Sequence, residues 1–429
     1  MRGVAPAPLL TPVREQPARA VQPRMALEPS LLLSMELLGT EVNNGVVGIG
    51  AVVALAALAW SLRTSFAGGA AIILLLLGGD PEERVASGAN ENEILKSIAT
   101  AITPSAWKKS YQGVGQGEDE PPKELLDLPA WMGDEARELE EPEAVANVKS
   151  MRLEPIEVPG VGPVDTCFMS LKPDAPADAP PLLLIHGFDS SLLEFRYITS
   201  ALLEAGLRVE AMEWWTGGFT ARAPFIKAIE ETDAKPWDLV REHQYAFYKR
   251  QLGGEKAVVL GASLGGAVAQ DFAAAHPECV EALILMDAGG ESYAQPDPFL
   301  TSLAADAVTN LFQWRATNGL LPYPHVWSKE DNWRQALRAY LKSGGYQEKV
   351  NPELIKTVTP PALVLWGEED DVLPVEDAFK YEKDLPNCVG VTLIPDAQHA
   401  PALENPSFVA DTIIKFTKEK AWQKKAVAA

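Results

Sequence analysis

Cysteine is scarce in this chain. Only Cys167, Cys279 and Cys388 are present, and they lie too far apart to form a C-x-x-C pair. This spacing excludes a zinc ribbon and a disulfide framework, and it suits a reducing compartment. Each cysteine is therefore interpreted as a small core residue. The sequence predicts neither a bound metal ion nor a cofactor.

Basic residues are too few to balance the acidic ones. The 429 residues include 37 Lys and Arg against 59 Asp and Glu, which gives a formal net charge of −22. Because phosphate binding needs basic patches, this balance excludes a nucleic-acid partner. Apolar residues make up 47% of the chain, which is ample for a sizeable core. The length predicts two ordinary domains or one large domain with extensions.

Acidic residues are nearly absent from the first 30 positions. Residues 1–30 contain four arginines, many alanines and prolines, and only two acids. This composition is typical of an organelle transit peptide, and the alternative is a disordered tail. The stretch VQPRMA at 21–26 is similar to algal plastid cleavage sites. We therefore predict a plastid protein whose first 30 residues are a transit peptide.

Two apolar segments follow within residues 42–79. Residues 46–62, VVGIGAVVALAALAWSL, carry no charge over 17 positions, and residues 66–79 are apolar again after Arg63. A membrane span needs about 20 mostly apolar residues, so the first segment is just long enough and the second is short. A soluble core helix should have a polar face, which neither segment has. We expect residues 46–79 to anchor the protein in a membrane, as a hairpin or as one span with a buried neighbour.

The composition changes twice more along the chain. Residues 80–150 are rich in Glu, Asp, Pro and Gly, which predicts a solvated linker. From residue 151, six short apolar runs alternate with helical stretches, which predicts an α/β domain with a mostly parallel sheet covered on both faces. In such a sheet, catalytic groups lie at the carboxyl ends of the strands. The six runs cover 181–187, 207–212, 257–263, 282–288, 362–370 and 389–396.

The run AVVLGASLGG at 257–266 frames Ser263 with glycines. An apolar strand precedes the serine, and Leu264–His276 carries apolar residues at helical spacing until Pro277. In a G-x-S-x-G turn between a strand and a helix, the serine hydroxyl is held above the sheet as a nucleophile, and side chains in place of the glycines would collide with neighbouring backbone. The alternative is an ordinary Gly-Ser loop.

Four motifs in order resemble the α/β-hydrolase fold family over residues 155–420. They are LLLIHGFDSS, VVLGASLGGAVA, LVLWGEEDDVLP and IPDAQHAPALENP. LLLIHGFDSSLLEFR, with GGFT at 217–220 and LKSGGY at 341–346, is similar to a plant and algal plastid branch of that family. The resemblance implies an α/β-hydrolase fold over residues 151–420, with a mostly parallel sheet, helices on both faces and a helical lid insertion at about 289–355.

By this resemblance the catalytic residues are Ser263, Asp370 and His399. A serine needs an adjacent base, and imidazole titrates near neutrality. The chain has five histidines, and only His399 lies in a loop like the family's catalytic-histidine loop. Asp370 lies three residues after a glycine and four before a proline, as in the family, and its role is to hold the imidazole tautomer. Asp371 is the first alternative acid and Asp287 is the second.

The resemblance also implies an oxyanion hole. Its donors are the backbone N–H groups of Phe188 and Leu264. The supporting residues are His186, Gly187, Gly261 and Gly265.

Two further stretches bear on the pocket. The family has Asp and Gly in the loop after its fourth strand, where this chain has Glu213 and Thr216, so we expect that loop to be bent differently. Trp214 and Trp215 either line an apolar entrance or pack in the core. The lid insertion is aromatic and two of its stretches are helical in pattern, which suits a cover that excludes water and selects the substrate. Its aromatic residues are Trp314, Tyr323, Trp327, Trp333 and Tyr340.

These expectations combine into a membrane-associated plastid serine hydrolase. It would cleave a carboxylic ester or thioester of a lipophilic small molecule through an acyl-enzyme. One alternative is an acyltransferase or perhydrolase that uses the same three residues. The other is a non-catalytic binding module that keeps the fold.

Overall fold

The six apolar runs predicted as strands form six of the eight strands of one sheet. A computed structural model describes residues 141–172, 181–290, 331–343 and 350–422, with the separate residues 128, 131, 132, 136, 139, 305, 309 and 327. The strands are β1 Arg152–Val158, β2 Gly162–Leu171, β3 Pro181–Ile185, β4 Arg208–Met212, β5 Ala257–Ala262, β6 Val280–Met286, β7 Ala362–Gly367 and β8 Cys388–Ile394.

The sheet is mostly parallel, as predicted. Its strand order is β1-β2-β4-β3-β5-β6-β7-β8. Strands β3 to β8 pair in parallel, whereas β2 pairs antiparallel with both β1 and β4. The β1–β2 hairpin is an element that the search for apolar runs does not find, because its side chains alternate between exposed and buried. The turn residues between these strands and this alternation are the signals that indicate a hairpin.

Helices cover both faces of the sheet. The side chains of β5 alternate between two apolar clusters, with Val258 and Leu260 in one and Ala257 and Val259 in the other. Because successive strand residues point to opposite faces, each cluster is the core of one face. The helices are α1 Pro142–Ser150, α2 Arg196–Glu204, α3 Ala223–Glu231, α4 Pro236–Leu252, α5 Leu264–Ala275, α6 Trp333–Lys342, α7 Pro352–Ile355, α8 Glu376–Asp384, α9 Pro401–Glu404 and α10 Pro406–Thr417.

The folded domain begins earlier than the boundary predicted at residue 151. Helix α1 lies inside the stretch expected to be linker, and it buries Ala144 and Val148 in the core. Arg196 of α2 pairs with Glu141 at 2.7 Å. The boundary is wrong because a high content of acidic residues hid an apolar pair at helical i, i+4 spacing. The separately described residues Leu128, Met132, Ala136 and Leu139 belong to the same core.

Several predicted segments lie outside the described residues. They are the transit peptide at 1–30, the apolar segments at 46–62 and 66–79, and most of the lid insertion. Within the part of the chain that the structure describes, no helix has the length and apolarity needed to cross a bilayer. Of the lid's two helical stretches, the second forms α6, and the first is outside the described residues.

Candidate active site

Ser263 occupies a strained corner between β5 and α5. Its φ of 52° is in the left-handed region that non-glycine residues rarely adopt. The flanking glycines allow this corner to pack closely. A Cβ on Gly265 would overlap the carbonyl oxygen of Ile185, and one on Gly261 would overlap the carbonyl oxygen of Gly265. The local sequence therefore produces the turn predicted for a serine nucleophile.

His399 links the serine to a carboxylate. The Nε2 atom of His399 lies 2.9 Å from Ser263 Oγ, and its Nδ1 atom lies 2.9 Å from Asp370 Oδ2. With Nδ1–H donating to Asp370, Nε2 is left to accept the serine proton. The other oxygen of Asp370 accepts the backbone N–H groups of Val372 and Leu373, at 2.8 and 3.0 Å. These two bonds fix the carboxylate in place.

The surroundings of His399 suit a general base. Burial lowers the pKa of this imidazole, but the charge of Asp370, the hydrogen bond to it and the charges of Glu194 and Asp371 together outweigh burial, so the net pKa lies above the ordinary value. The imidazole accepts a proton more readily than a free histidine does, and the buried Asp370 side chain stabilises the imidazolium that results.

The two alternative acids lie in different positions. Asp371 is exposed, and Asp287 is buried at the end of β6. The Oδ1 atom of Asp287 accepts the Gly367 N–H at 2.8 Å, which ties the end of β6 to the end of β7. Burial, together with the charge of Asp370, raises the pKa of Asp287 well above its usual range. Of the three candidates, Asp370 alone has a hydrogen bond to His399 among those found between the described residues.

The residues predicted to form the oxyanion hole lie around Ser263. Leu264 is the first residue of α5, where backbone N–H groups have no acceptor within the helix. Gly187, which precedes Phe188, is so near the serine that a Cβ on it would lie 3.3 Å from Ser263 Cβ. The buried His186 contacts the Gly187 carbonyl through Nδ1 at 2.9 Å. Burial lowers the pKa of His186 to about 4, so this ring is neutral at pH 7.

Glu194 is a site residue that the motif reading does not single out. Its Oε2 atom accepts the Gly187 N–H at 2.8 Å, so it braces the loop that follows β3. Burial raises its pKa, although the Gly187 N–H opposes the change. Glu194 also lines a small cavity with His399 and Asp287. The available signal was its place in LLLIHGFDSSLLEFR, seven residues after Gly187.

The loop after β4 is built around Glu213. This buried carboxyl accepts the Phe219 N–H at 2.5 Å and the Leu192 N–H at 3.4 Å. Burial raises its pKa to about 7, against the effect of these donors. Gly218 has a φ of 61°, and a Cβ there would overlap the Glu213 carboxyl. The longer side chain in place of the family's Asp is thus accommodated by a glycine turn.

Trp214 and Trp215, in the same loop, are fully buried, so they pack in the core and do not line an open entrance. Trp214 stacks on His186 with ring centroids 5.6 Å apart, and its Nε1–H donates to the His186 carbonyl at 3.3 Å. In the lid insertion, Trp327, Trp333 and Tyr340 are also buried. Trp314 and Tyr323 lie outside the described residues.

A family model matches the part of the chain that carries the candidate site. The model of the alpha/beta hydrolase family matches residues 182–412, which is more than half of the chain. The chain belongs to the alpha/beta hydrolase family. The match begins in β3 and ends in α10, so it contains the ends of all the parallel strands that carry the site. It starts after the β1–β2 hairpin and α1.

The similar proteins include hydrolases and esterases. The chain is 27% identical to the alpha/beta hydrolase domain-containing protein VTE7 of Arabidopsis thaliana, over 57% of this chain and 76% of that one. It is 26% identical to a 2-hydroxy-6-oxo-6-(2'-aminophenyl)hexa-2,4-dienoic acid hydrolase of Metapseudomonas resinovorans, over 56% and 85%. A solved thermophilic esterase from Thermogutta terrifontis has the same fold, with a TM-score of 0.51, 20% identity, and coverage of 63% and 99%. The Arabidopsis relative is consistent with the plant branch indicated by the motifs.

Proposed function

We propose that this alpha/beta hydrolase is a serine enzyme that cleaves a carboxylic ester or thioester of a lipophilic small molecule through an acyl-enzyme. The observation that carries the proposal is the hydrogen-bonded series from Ser263 Oγ through His399 to Asp370, with 2.9 Å at each step. A serine within hydrogen-bond reach of a histidine that is itself oriented by a carboxylate is the arrangement for nucleophilic acyl transfer.

The first half of the reaction acylates Ser263. His399 Nε2 takes the hydroxyl proton as Oγ attacks the carbonyl carbon, and the carbonyl oxygen becomes an oxyanion that accepts the N–H groups of Phe188 and Leu264. When the tetrahedral intermediate collapses, His399 returns the proton to the leaving alcohol or thiol. The acyl group remains on Ser263.

In the second half a water molecule takes the place of the alcohol. His399 removes a proton from this water as its oxygen attacks the acyl carbon. When the intermediate collapses, the bond from the acyl carbon to Ser263 Oγ breaks, His399 returns the proton to Oγ, and the carboxylic acid leaves. An alcohol or hydrogen peroxide in place of water would make the enzyme an acyltransferase or a perhydrolase. Adding a primary alcohol to the assay and measuring the new ester separates transfer from hydrolysis.

A fluorophosphonate probe tests the proposal directly. The folded wild-type protein should form a covalent adduct on Ser263 and should release p-nitrophenol from p-nitrophenyl butyrate. Absence of both an adduct and turnover, in protein shown to be folded by circular dichroism, would favour the non-catalytic binding module instead.

We propose further that residues 46–79 anchor the protein in a plastid membrane. A segment with apolar side chains can be buried in lipid only if its backbone N–H and C=O groups bond to each other, as they do in a helix. After carbonate extraction of isolated plastids, the full-length protein is expected in the membrane pellet. Its recovery in the supernatant would contradict the anchor.

The control for this extraction is a chain that starts at residue 121. It lacks the apolar segments, and it keeps Leu128 and α1, which belong to the core. This chain should remain in the supernatant, and it should hydrolyse p-nitrophenyl butyrate at the full-length rate. A chain that starts at residue 151 also lacks the anchor, but it loses α1 and should melt at least about 5 °C lower.

A further inference from the structure

Helix α6, from the lid insertion, is bonded to the loop that carries one oxyanion donor. Trp333 is its first residue, and the indole Nε1–H donates to Asp189 Oδ1 at 2.8 Å. Both side chains are buried, with exposed fractions of 1% for Trp333 and 0% for Asp189. The bond joins residues that are 144 positions apart in the chain. It is therefore a contact between two separate elements.

Asp189 needs such a partner because its backbone is strained. Its φ of 46° is in the left-handed region, although the residue is not glycine. Strained residues of this kind persist only where the surrounding structure holds them, and they cluster at functional sites. Asp189 directly follows Phe188, whose N–H is one of the two proposed oxyanion donors. The strained Asp189 therefore restricts the path that the loop can take on the C-terminal side of Phe188.

A second contact from the same helix reaches this loop. Tyr340 lies seven residues after Trp333, so both side chains are on one face of α6. Its ring centroid is 6.0 Å from that of Phe188 and 5.7 Å from that of Trp214. Trp214 in turn stacks on His186. Helix α6 thus contacts Phe188, which follows Gly187, and it packs on Trp214, which stacks on His186 before Gly187.

We propose that Trp333 is a positioning residue for the reaction, because its bond to Asp189 holds the Phe188 N–H in the direction of the developing oxyanion. This inference rests on the serine-hydrolase function proposed above. It implies that the docked position of α6 and the oxyanion hole form together. Helix α6 would then contribute to the chemical step.

Trp333→Phe is the test, because it removes the indole N–H and keeps an aromatic ring. We expect kcat on p-nitrophenyl butyrate to fall about tenfold to a hundredfold, the effect of a small misplacement of catalytic groups, with little change in KM. The rate constant for fluorophosphonate labelling should fall by a similar factor, since attack on phosphorus also places negative charge on an oxygen in the hole. A side chain with a purely structural role would lower the melting temperature and leave both rate constants unchanged.

Trp366→Phe is the matched control. Trp366 is also fully buried, and its Nε1 has no hydrogen-bond partner among the described residues. The substitution removes the same N–H group without removing a bond, so kcat should stay at the wild-type value.

Variants of Asp189 test the same bond from its other end. Asp189→Gly tolerates the left-handed φ and lacks the acceptor, so it should match Trp333→Phe. The double variant should be slowed by less than the product of the two single effects, because both substitutions remove the bond between Trp333 and Asp189. Asp189→Asn keeps Oδ1 as an acceptor and should lose less activity than Asp189→Gly. If Trp333→Phe does not fold, the two Asp189 variants decide the question.

The outcomes separate the two proposals. Suppose that the wild-type protein is active and that Trp333→Phe and Asp189→Gly have the same kcat as Trp366→Phe. That result would overturn the positioning role of Trp333 but would leave the proposed hydrolase function intact. A wild-type protein that neither turns over nor labels would overturn both. A selective loss of kcat and labelling rate in the two variants supports the role.

Discussion

Replacing Ser263 with alanine is expected to lower kcat for ester hydrolysis by about a millionfold, to the level left by binding and the oxyanion donors alone. The hydroxyl is the only group at this corner that can carry the acyl group, and its Oγ lies 2.9 Å from the base, His399 Nε2. Fluorophosphonate labelling should disappear in the same variant. Initial rates with p-nitrophenyl butyrate and mass spectrometry of the labelled protein measure the two effects.

An exposed serine provides the control for this substitution. Ser200 lies on the surface of α2, and Ser200→Ala should keep both turnover and labelling. The melting temperature of Ser263→Ala should stay near the wild-type value, because alanine has a Cβ like serine and imposes no new clash at the strained corner. Near-normal turnover by purified Ser263→Ala would show that another group is the nucleophile.

Replacing Asp370 with asparagine is expected to lower kcat by about 10⁴-fold. In the wild type, Asp370 Oδ2 accepts the His399 Nδ1–H and so keeps the imidazole proton on Nδ1. The amide of asparagine can place an NH2 group there instead, so the proton is no longer held on Nδ1 and Nε2 is no longer reliably free to accept from Ser263. The same change removes the main influence that raises the pKa of His399, while burial continues to lower it. Activity requires neutral imidazole and is lost as the pH falls through this pKa. The acid limb of the residual kcat/KM profile should therefore lie at lower pH than in the wild type.

The two alternative acids serve as controls for Asp370→Asn. Burial and the Asp370 charge raise the pKa of Asp287 well above its usual range. Asp287→Asn removes the titrating carboxyl and keeps Oδ1 as the acceptor for the Gly367 N–H. We expect it to retain most of its turnover, as should the exposed Asp371→Asn. If Asp287→Asn instead lost kcat by about 10⁴-fold while Asp370→Asn kept normal turnover, the carboxylate that orients His399 would be Asp287, at the end of β6.

The strands and the position of the candidate nucleophile could be predicted from local sequence. Strands β3, β5, β6 and β7 are short apolar runs, because strands buried on both faces carry few polar side chains. Strands β4 and β8 also follow predicted runs, although β8 is an edge strand and only partly buried. Gly261 and Gly265 indicate the corner at Ser263, since only glycine fits where the first turn of α5 meets the backbone at the end of β3. The order of the motifs, together with the resemblance of the loop after the last strand to the family's histidine loop, was sufficient to predict His399 as the catalytic histidine.

Other features depend on contacts between residues far apart in the chain. The sequence left three candidate acids, and the choice of Asp370 rests on a distance to His399, 29 positions away. The motif LLLIHGFDSSLLEFR contains Glu194 but does not show that this side chain braces Gly187, and no local pattern reveals the bond from Trp333 to Asp189. Helix α1 was missed for a related reason, because its acidic composition predicts solvent exposure and only packing against the sheet shows what it buries.

The sequence by itself determined the alternation of strands and helices, the glycine-framed corner and the residue types available for catalysis. These are set by side-chain periodicity and by the steric limits of single residues, which act over a few positions. The tertiary structure decided where the domain begins, which carboxylate reaches His399 and what holds the loop around Phe188. Those outcomes are set by distances and burial, which exist only after elements from separate parts of the chain have packed together.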